Sequence, residues 1–194
     1  MPTATPPAPA PPARLWMLHK PRGVVVSRSD EHGRKTVYDI LPAWVHDDGW
    51  QPVGRLDRDS RGLLLFTREG QLVERLTRPG GLLKVYEVEV RGRVTPEHLA
   101  AIQLGVETAI GPLSARSVEV LGTVGPRTRL RVTLDEGKNR HLRRLFGALE
   151  DPQHGTPLKV LELKRTAIGP LTLDLPSGGF RPLTPAEEAG LLRG

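Results

Sequence analysis

Short apolar runs bounded by turn-forming residues dominate the hydrophobic pattern of this chain. The four apolar residues 63–66 lie between charged and polar side chains, a pattern that predicts a buried strand. Residues 83–90 and 129–134 alternate between apolar and polar positions, which is typical of strands with one face in a core. Further strands are expected at 15–18, 24–26, 158–163 and 171–175, and as a hairpin around Gly111 and Pro112.

Helical periodicity is confined to a few short segments. Residues 69–77 and 95–104 carry helix signals, the second with Pro96 at the first helical position, and residues 37–41 predict a helical turn. Thr184 and Glu187 form a capping box that predicts a last helix. Many short strands with few helices between them predict an α+β domain, with a mixed, mostly antiparallel sheet and peripheral helices.

Composition indicates a disordered N-terminal tail and the chemical class of the partner. After Met1, residues 2–13 consist only of proline, alanine and threonine, so we expect a disordered tail at 1–13 and one domain over 14–194. The net charge of +6 and the pI of about 10.2 favour a polyanionic partner, most simply nucleic acid.

Several kinds of site are disfavoured by what the chain lacks. Cysteine is absent, which excludes disulfides and cysteine nucleophiles and is compatible with a reducing, cytoplasmic location. The six histidines never occur at metal-ligand spacing, so no metal site is expected. No apolar run approaches the length of a membrane span, so no membrane partner is expected either.

A loop of concentrated charge precedes the buried run 63–66. Arg55, Asp57, Arg58 and Asp59 follow one another closely there. Loops that a rigid strand positions often carry chemically active groups, and Asp57 is the candidate nucleophile. Arg55, two residues away, is expected to pair with Asp57 and keep it ionised. A solvated turn with structural ion pairs would give the same pattern.

A basic helix is predicted within residues 135–149. Its apolar positions recur at i, i+3, i+4 and i+7: Leu142, Leu145, Phe146 and Leu149. Arg140, Arg143 and Arg144 fall on the other side, with Lys138 at the N-terminus, so these arginines are expected to face outward, where basic side chains can contact phosphates. An ordinary solvated basic face is the alternative.

Together these segments resemble the pseudouridine synthases, in the family that includes the ribosomal small-subunit synthase A and the large-subunit synthases B, E and F. The resemblance covers nearly the whole chain after the tail. It rests on L-H-K-P-R-G-V at 18–24, P-V-G-R-L-D-R-D-S-R-G-L-L-L-F-T at 52–67, K-V-Y-E-V at 84–88 and D-E-G-K-N-R-H-L-R-R-L-F at 135–146.

The resemblance implies the pseudouridine synthase catalytic fold and the isomerisation of a specific uridine in ribosomal RNA, with no metal or cofactor. Asp57 would be the catalytic carboxylate, Arg55 its partner, and Tyr86 the ring that stacks on the extruded base. RNA contacts are expected from the basic residues Lys20, Arg58, Lys84, Lys138, Arg140, Arg143 and Arg144, with Arg143 nearest the reacting nucleotide. Whether Asp57 attacks the sugar or the base, or removes a ribose proton, is left open.

Two departures from the family pattern affect the finer expectations. No separate N-terminal RNA-binding domain is expected before the catalytic part, which makes the chain most similar to the shorter synthase E and favours large-subunit RNA over small-subunit RNA. His141 stands where glutamine is usual, and no role is assigned to it. The expected partner is ribosomal RNA or a pre-ribosomal particle, and the expected state a monomer. A non-catalytic RNA-binding or ribosome-associated protein is the alternative, in which Asp57 would be dispensable.

Overall fold

The computed structural model describes residues 13–193, so all but the last residue of the predicted tail lies outside the described range. The strands are β1 (Leu15–Lys20), β2 (Gln51–Val53), β3 (Arg61–Thr67), β4 (Lys84–Arg91), β5 (Val106–Thr108), β6 (Gly111–Leu113), β7 (Ser117–Val124), β8 (Arg127–Leu134), β9 (Glu150–Asp151), β10 (Thr156–Pro157), β11 (Lys159–Ile168), β12 (Leu171–Thr172) and β13 (Phe180–Pro182). The helices are α1 (Ala43–Asp47), α2 (Gly70–Thr77), α3 (Pro96–Leu104), α4 (His141–Gly147) and α5 (Pro185–Arg193), with a 3-10 turn at Tyr38–Ile40.

Within residues 13–193, nine strands form one sheet in the order β13-β1-β3-β11-β4-β8-β7, with β2 added to β3 and β12 to β11. Neighbouring strands are antiparallel except β3 and β11, which are parallel. The short strands β5 and β6 pair with each other, as do β9 and β10. The predicted α+β class, with a mixed and mostly antiparallel sheet, is therefore confirmed.

Strand β3 is buried on both faces because its alternate side chains enter two different cores. Leu63 and Leu65 pack in the core that also contains Leu72 of α2. Leu64 and Phe66 pack in the larger core, where the Phe66 ring lies edge-on to the rings of Tyr38 and Phe180. A strand covered on both faces has a continuous apolar sequence instead of an alternating one, and this confirms the prediction for residues 63–66.

Strands β3 and β11 approach so closely at Gly62 that no side chain fits there. A Cβ atom at position 62 would lie 2.2 Å from the carbonyl oxygen of Arg165, and the φ of +118° favours glycine as well. The register pairs Arg165 with Gly62 on β3 and with Tyr86 on β4. Directly opposed residues of antiparallel strands share a face, so Arg165 lies beside Tyr86.

The predicted helix signals are confirmed at their caps. Thr95 caps α3 by accepting a hydrogen bond from the backbone of His98, with Pro96 next in the chain. Thr184 and Glu187 exchange the two hydrogen bonds of a capping box at the start of α5. None of the helices in the described range has the length and apolar character needed to cross a bilayer.

Three predicted strands differ in extent from the structure. Residues 24–26 do not form one, since Val25 makes only an isolated bridge to Thr36 after the turn at Gly23, where φ is +87°. The strand expected at 158–163 continues to residue 168 as β11. The strand expected at 171–175 ends at residue 172, because the chain then turns towards β1, where Gly178 and Gly179 bond the backbone of His19.

Candidate active site

A cavity opens between the loop 54–60, the strands β4 and β11, and the start of α4. Its volume is about 160 Å³, or about 900 Å³ when the space open to solvent is included. The predicted site residues among its lining are Arg55, Asp57, Lys84, Tyr86, Lys138, Arg140 and Arg143. The fold thus brings together side chains from three distant segments of the sequence.

The carboxylate of Asp57 lies between two arginine side chains. Its Oδ2 atom is 3.9 Å from Nη1 of Arg140 and 4.0 Å from Nε of Arg143. The Asp57 side chain is 27% exposed, so it is partly desolvated yet open to the cavity. This arrangement surrounds one anionic group with fixed positive charge and leaves it accessible to a substrate.

Arg55 is not the ion-pair partner of Asp57, which corrects the sequence-based prediction. Among the ion pairs formed within residues 13–193, the cations within 4.0 Å of Asp57 belong to Arg140 and Arg143. The backbone turns at Asp57, where its carbonyl accepts a hydrogen bond from the amide of Ser60, and the carboxylate lies next to α4. Arg55 stays exposed at the cavity lining, so nearness in sequence does not become contact.

Arg143 is mostly covered by the protein, and the prediction that it faces outward is wrong. Its side chain is 13% exposed, with Nη1 donating to the Val160 carbonyl at 3.2 Å and Nη2 to the Asp59 carbonyl at 3.3 Å. Burial lowers the pKa of Arg143, and Arg140 lowers it further, while Asp59 and Asp57 oppose this shift. Arg143 therefore ties α4 to β11 and to the loop that carries Asp57.

The other basic residues of these segments that were predicted to contact RNA lie at different positions relative to the cavity. Arg140 has a left-handed backbone, with φ of 52°, and lies exposed at the cavity just before α4. Lys138 lines the cavity and pairs with Glu136 at 3.1 Å. Arg58 and Arg144 lie outside the lining: Arg58 donates to the Gly23 carbonyl at 3.4 Å, and Arg144 to the Asn139 carbonyl at 3.1 Å.

Lys20 holds the loop 54–60 from inside the protein, which overturns its predicted RNA contact. Its side chain is fully buried at the end of β1. The ammonium group donates to the carbonyl oxygens of Pro21 at 3.0 Å, Asp57 at 3.1 Å and Ser60 at 2.8 Å. Three acceptors satisfy the three N–H donors of a lysine, so the ammonium group has its full set of hydrogen bonds.

Tyr86 lines the same cavity as Asp57. It lies on β4 and is 7% exposed, and Lys84 lines the cavity two residues earlier on the same face. The Lys84 ammonium donates to the Leu82 carbonyl at 3.2 Å. Burial lowers the pKa of Lys84, and the nearby Arg165 lowers it further, while Asp135 opposes the shift. The alternation predicted for this strand is therefore present in the structure.

Comparison with known proteins identifies the family. Residues 14–148 match the sequence profile of the family described as RNA pseudouridylate synthase. This chain belongs to the RNA pseudouridylate synthase family. Two relatives are both named ribosomal large subunit pseudouridine synthase B. The protein of Pasteurella multocida is 38% identical over 170 residues, covering 86% of this chain and 47% of the relative. That of Escherichia coli K12 is 37% identical over 177 residues, covering 90% and 58%.

The chain spans about half the length of these pseudouridylate synthase relatives. A solved pseudouridylate synthase superposes with a TM-score of 0.79 at 32% identity, covering 92% of this chain and 74% of that one. An H/ACA ribonucleoprotein bound to a substrate RNA superposes with a TM-score of 0.59 at 19% identity, covering 81% of this chain and 48% of that one, which shows a shared fold alone. These relatives carry the name synthase B, so the expected similarity to synthase E stays a prediction.

Sequence reasoning missed Arg165 in this pseudouridylate synthase fold. The residue is 3% exposed, lines the cavity, and donates through Nε to the Leu63 carbonyl at 2.8 Å. A signal was present, since Leu163, Arg165 and Ala167 alternate along β11 and place an arginine at an inward position.

His141, to which no role was assigned, also lines the cavity and is 4% exposed. Its Nε2–H donates to the Ser114 carbonyl at 2.8 Å. Burial lowers the pKa of His141, so the neutral ring is favoured. Within residues 13–193, no three histidine or carboxylate side chains cluster closely enough to hold a metal ion.

We expect Lys20 to make stability depend on pH. Burial lowers its pKa from the usual 10.5 to about 8, with Asp57 and Asp59 opposing the shift. Between these two values the unfolded chain binds more protons than the folded protein, so the unfolding free energy rises with pH. The wild type should therefore gain stability relative to Lys20→Met from about pH 8 upward, by at most about 1.4 kcal/mol per pH unit.

Urea unfolding of the wild type and of Lys20→Met, between about pH 7 and about pH 10, measures this difference. Other lysines and tyrosines titrate in both proteins, so their effects cancel. A difference that stays constant over the whole interval would contradict the lowered pKa of Lys20.

Proposed function

We propose that this protein isomerises a specific uridine of ribosomal RNA to pseudouridine, with Asp57 as the catalytic carboxylate. The observation that carries the proposal is the position of Asp57 in one cavity with Tyr86, between the guanidinium groups of Arg140 and Arg143. Membership of the family supports the reaction. The names of the relatives support ribosomal RNA, and the large subunit in particular, as the substrate.

The chemistry of the reaction suits a lone, accessible carboxylate. Pseudouridine formation breaks the bond between ribose C1′ and uracil N1, turns the base, and joins C1′ to C5. A carboxylate can form a covalent bond to a sugar carbon, as in retaining glycosidases, or accept a proton. Asp57 is close enough to two guanidinium groups to be held in one orientation for either role.

The surroundings of Asp57 suit an extruded nucleotide. A base must leave its stack before an enzyme can act on it, and aromatic rings commonly receive such bases. Tyr86 offers its ring inside the cavity. Arg140 and Lys138 are exposed near the opening and can contact the flanking phosphates. Arg143 takes the orienting role first assigned to Arg55.

We infer that residues 14–194 act as one catalytic domain on RNA. A protein that modifies ribosomal RNA or a pre-ribosomal particle would work in the cytoplasm, and a monomer is sufficient because the cavity is built from one chain. A non-catalytic RNA-binding protein would not require a carboxylate between two arginines at a cavity.

The test uses purified protein and unmodified transcripts of large- and small-subunit ribosomal RNA. Chemical mapping of pseudouridine should reveal one modified position in the large-subunit transcript, and none with Asp57→Asn. Modification of the small-subunit transcript alone would overturn the choice of subunit. Absence of product in both transcripts and in the intact subunits would overturn the proposed activity.

Arg140 is expected to contribute to RNA affinity through phosphate contact. Replacing Arg140 with alanine should lower the slope of log affinity against log salt concentration by about 0.7, the counterion-release value for one contact to a single strand. Arg131→Ala removes the same charge at an exposed arginine outside the cavity lining and is the matched control. Equal slopes for the wild type and Arg140→Ala would mean that the RNA follows another path.

A further inference from the structure

Buried polar atoms without partners are concentrated around the cavity. In the part of the chain that the structure describes, five buried side-chain atoms lack a hydrogen-bond partner, and four belong to residues that line the cavity. These four are Ser60 Oγ, His141 Nδ1, Arg143 Nε and Arg165 Nη2. An unpaired buried polar group costs about 1–3 kcal/mol, so proteins usually satisfy such groups. Their concentration at one cavity points to a polar ligand that completes the bonds.

Arg165 is the most unusual of the four. It is 3% exposed, and within residues 13–193 no carboxylate lies within 4.0 Å of its guanidinium group to form an ion pair. Its Nε atom bonds the Leu63 carbonyl, which leaves Nη2 without a partner. A buried charge without an opposite charge is costly to retain, and functional sites are where such costs are tolerated.

The fold holds Arg165 rigidly beside the residue expected to receive the base. Arg165 is directly opposed to Tyr86 across β11 and β4. Its backbone is pressed against Gly62, two residues after Ser60 in the loop that carries Asp57. A group fixed in this way needs little reorganisation to meet a charge that develops on the base.

We propose that Arg165 is a further catalytic residue, which donates a hydrogen bond from Nη2 to a carbonyl oxygen of the target uracil and stabilises the negative charge on the departing base. This inference rests on the proposed function. In this inference Arg165 acts on the uracil base, whereas Arg143 acts on the carboxylate of Asp57.

The electron balance of the reaction explains why a cation is needed there. When the C1′–N1 bond breaks, its electron pair leaves with the uracil, whether Asp57 attacks C1′ or removes the C2′ proton. The base is then an anion whose charge is shared by N1, O2 and O4. As C5 joins C1′, the Asp57–C1′ bond breaks, or Asp57 returns the proton to C2′; the C5 proton is then lost and N1 gains one. No oxidant or added group is required.

The other cations at the cavity are less suited to this role. Arg143 already donates to two backbone carbonyls and faces Asp57. Lys84 already donates to the Leu82 carbonyl. Arg165 combines a free donor, a buried guanidinium group and a position next to Tyr86.

The test compares two leaving groups in single-turnover reactions at saturating enzyme. The substrate RNAs carry uridine or 5-fluorouridine at the target position, and the rate of loss of the intact nucleoside is measured after nuclease digestion and mass spectrometry. Fluorine makes the uracil anion more stable, so its departure needs less help. Arg165→Met should slow the uridine reaction about a hundredfold and the fluorouridine reaction by only about tenfold.

The ratio of the two rates within one preparation does not depend on the fraction of protein that is folded. Arg165→Lys keeps a cation and should recover part of the uridine rate. Arg131→Met, which removes an exposed arginine paired with Glu119, is the control and should leave both rates unchanged. Equal slowing of the two substrates by Arg165→Met, or weaker RNA binding alone, would overturn the inference while the proposed function stands. No reaction with the wild type would overturn both.

Discussion

Asp57→Asn is expected to abolish pseudouridine formation, lowering the single-turnover rate by about 10⁴-fold or more. The substitution keeps the size of the side chain and removes the negative charge and the nucleophilic oxygen. The Asp57 carboxylate contacts Arg140 and Arg143 only at 3.9 and 4.0 Å, so its loss breaks no short hydrogen bond that supports the fold. RNA affinity and thermal stability should therefore stay close to those of the wild type.

The matched control for this prediction is Asp59→Asn. Asp59 lies two residues away in the same loop, and Arg143 uses its backbone carbonyl, not its carboxylate. Both substitutions remove one negative charge, so a general electrostatic effect on RNA would appear in both. Turnover by Asp57→Asn comparable to that of Asp59→Asn would exclude Asp57 as the catalytic group.

Arg143→Met should lower the rate at saturating RNA by about a thousandfold, with a much smaller change in affinity. Arg143 faces the Asp57 carboxylate and donates to the Asp59 and Val160 carbonyls, so its loss releases both the carboxylate and the loop. Methionine preserves most of the packing volume of the buried stem. Single-turnover rates and equilibrium binding on the same RNA separate the two effects.

Arg55→Met tests whether the effect of Arg143→Met comes from the contact of Arg143 with Asp57 or only from the loss of a positive charge at the cavity. Arg55 also lines the cavity, but it lies outside the ion pairs of Asp57 within the described residues. We expect its replacement to lower the rate by less than about tenfold. A larger loss of rate for Arg55→Met than for Arg143→Met would support the ion pair between Arg55 and Asp57 that the sequence predicted.

The buried strand and the class of the fold could be predicted from the sequence because they depend on local patterns. Four consecutive apolar residues at 63–66 require cover on both faces, and the structure supplies two cores. The alternation around Tyr86 places it on the inward face of β4 with Val88 and Val90. Caps such as Thr95 and Thr184 also depend on neighbours only a few residues away.

The partners of charged side chains could not be predicted in the same way. Helical periodicity separates Arg143 from the apolar stripe of α4, but it does not reveal that β11 and the Asp57 loop cover that side. Lys20 belongs to a basic turn in the sequence, yet it is buried in the structure, where its ammonium group donates to three carbonyl oxygens. Electrostatic pairing depends on distances of a few ångströms, and only the packed chain sets them.

By itself, the sequence determined the α+β class, the buried strand β3 and, through its motifs, the family and Asp57 as the candidate carboxylate. The tertiary structure alone decided that Arg143 and Arg140 face Asp57, that Lys20 supports the loop, and that Arg165 lies beside Tyr86. The physical reason is the range of the interactions. Periodicity and capping act within a few residues, whereas Arg165 reaches the Leu63 carbonyl, 102 residues away, only because Gly62 lets two parallel strands meet.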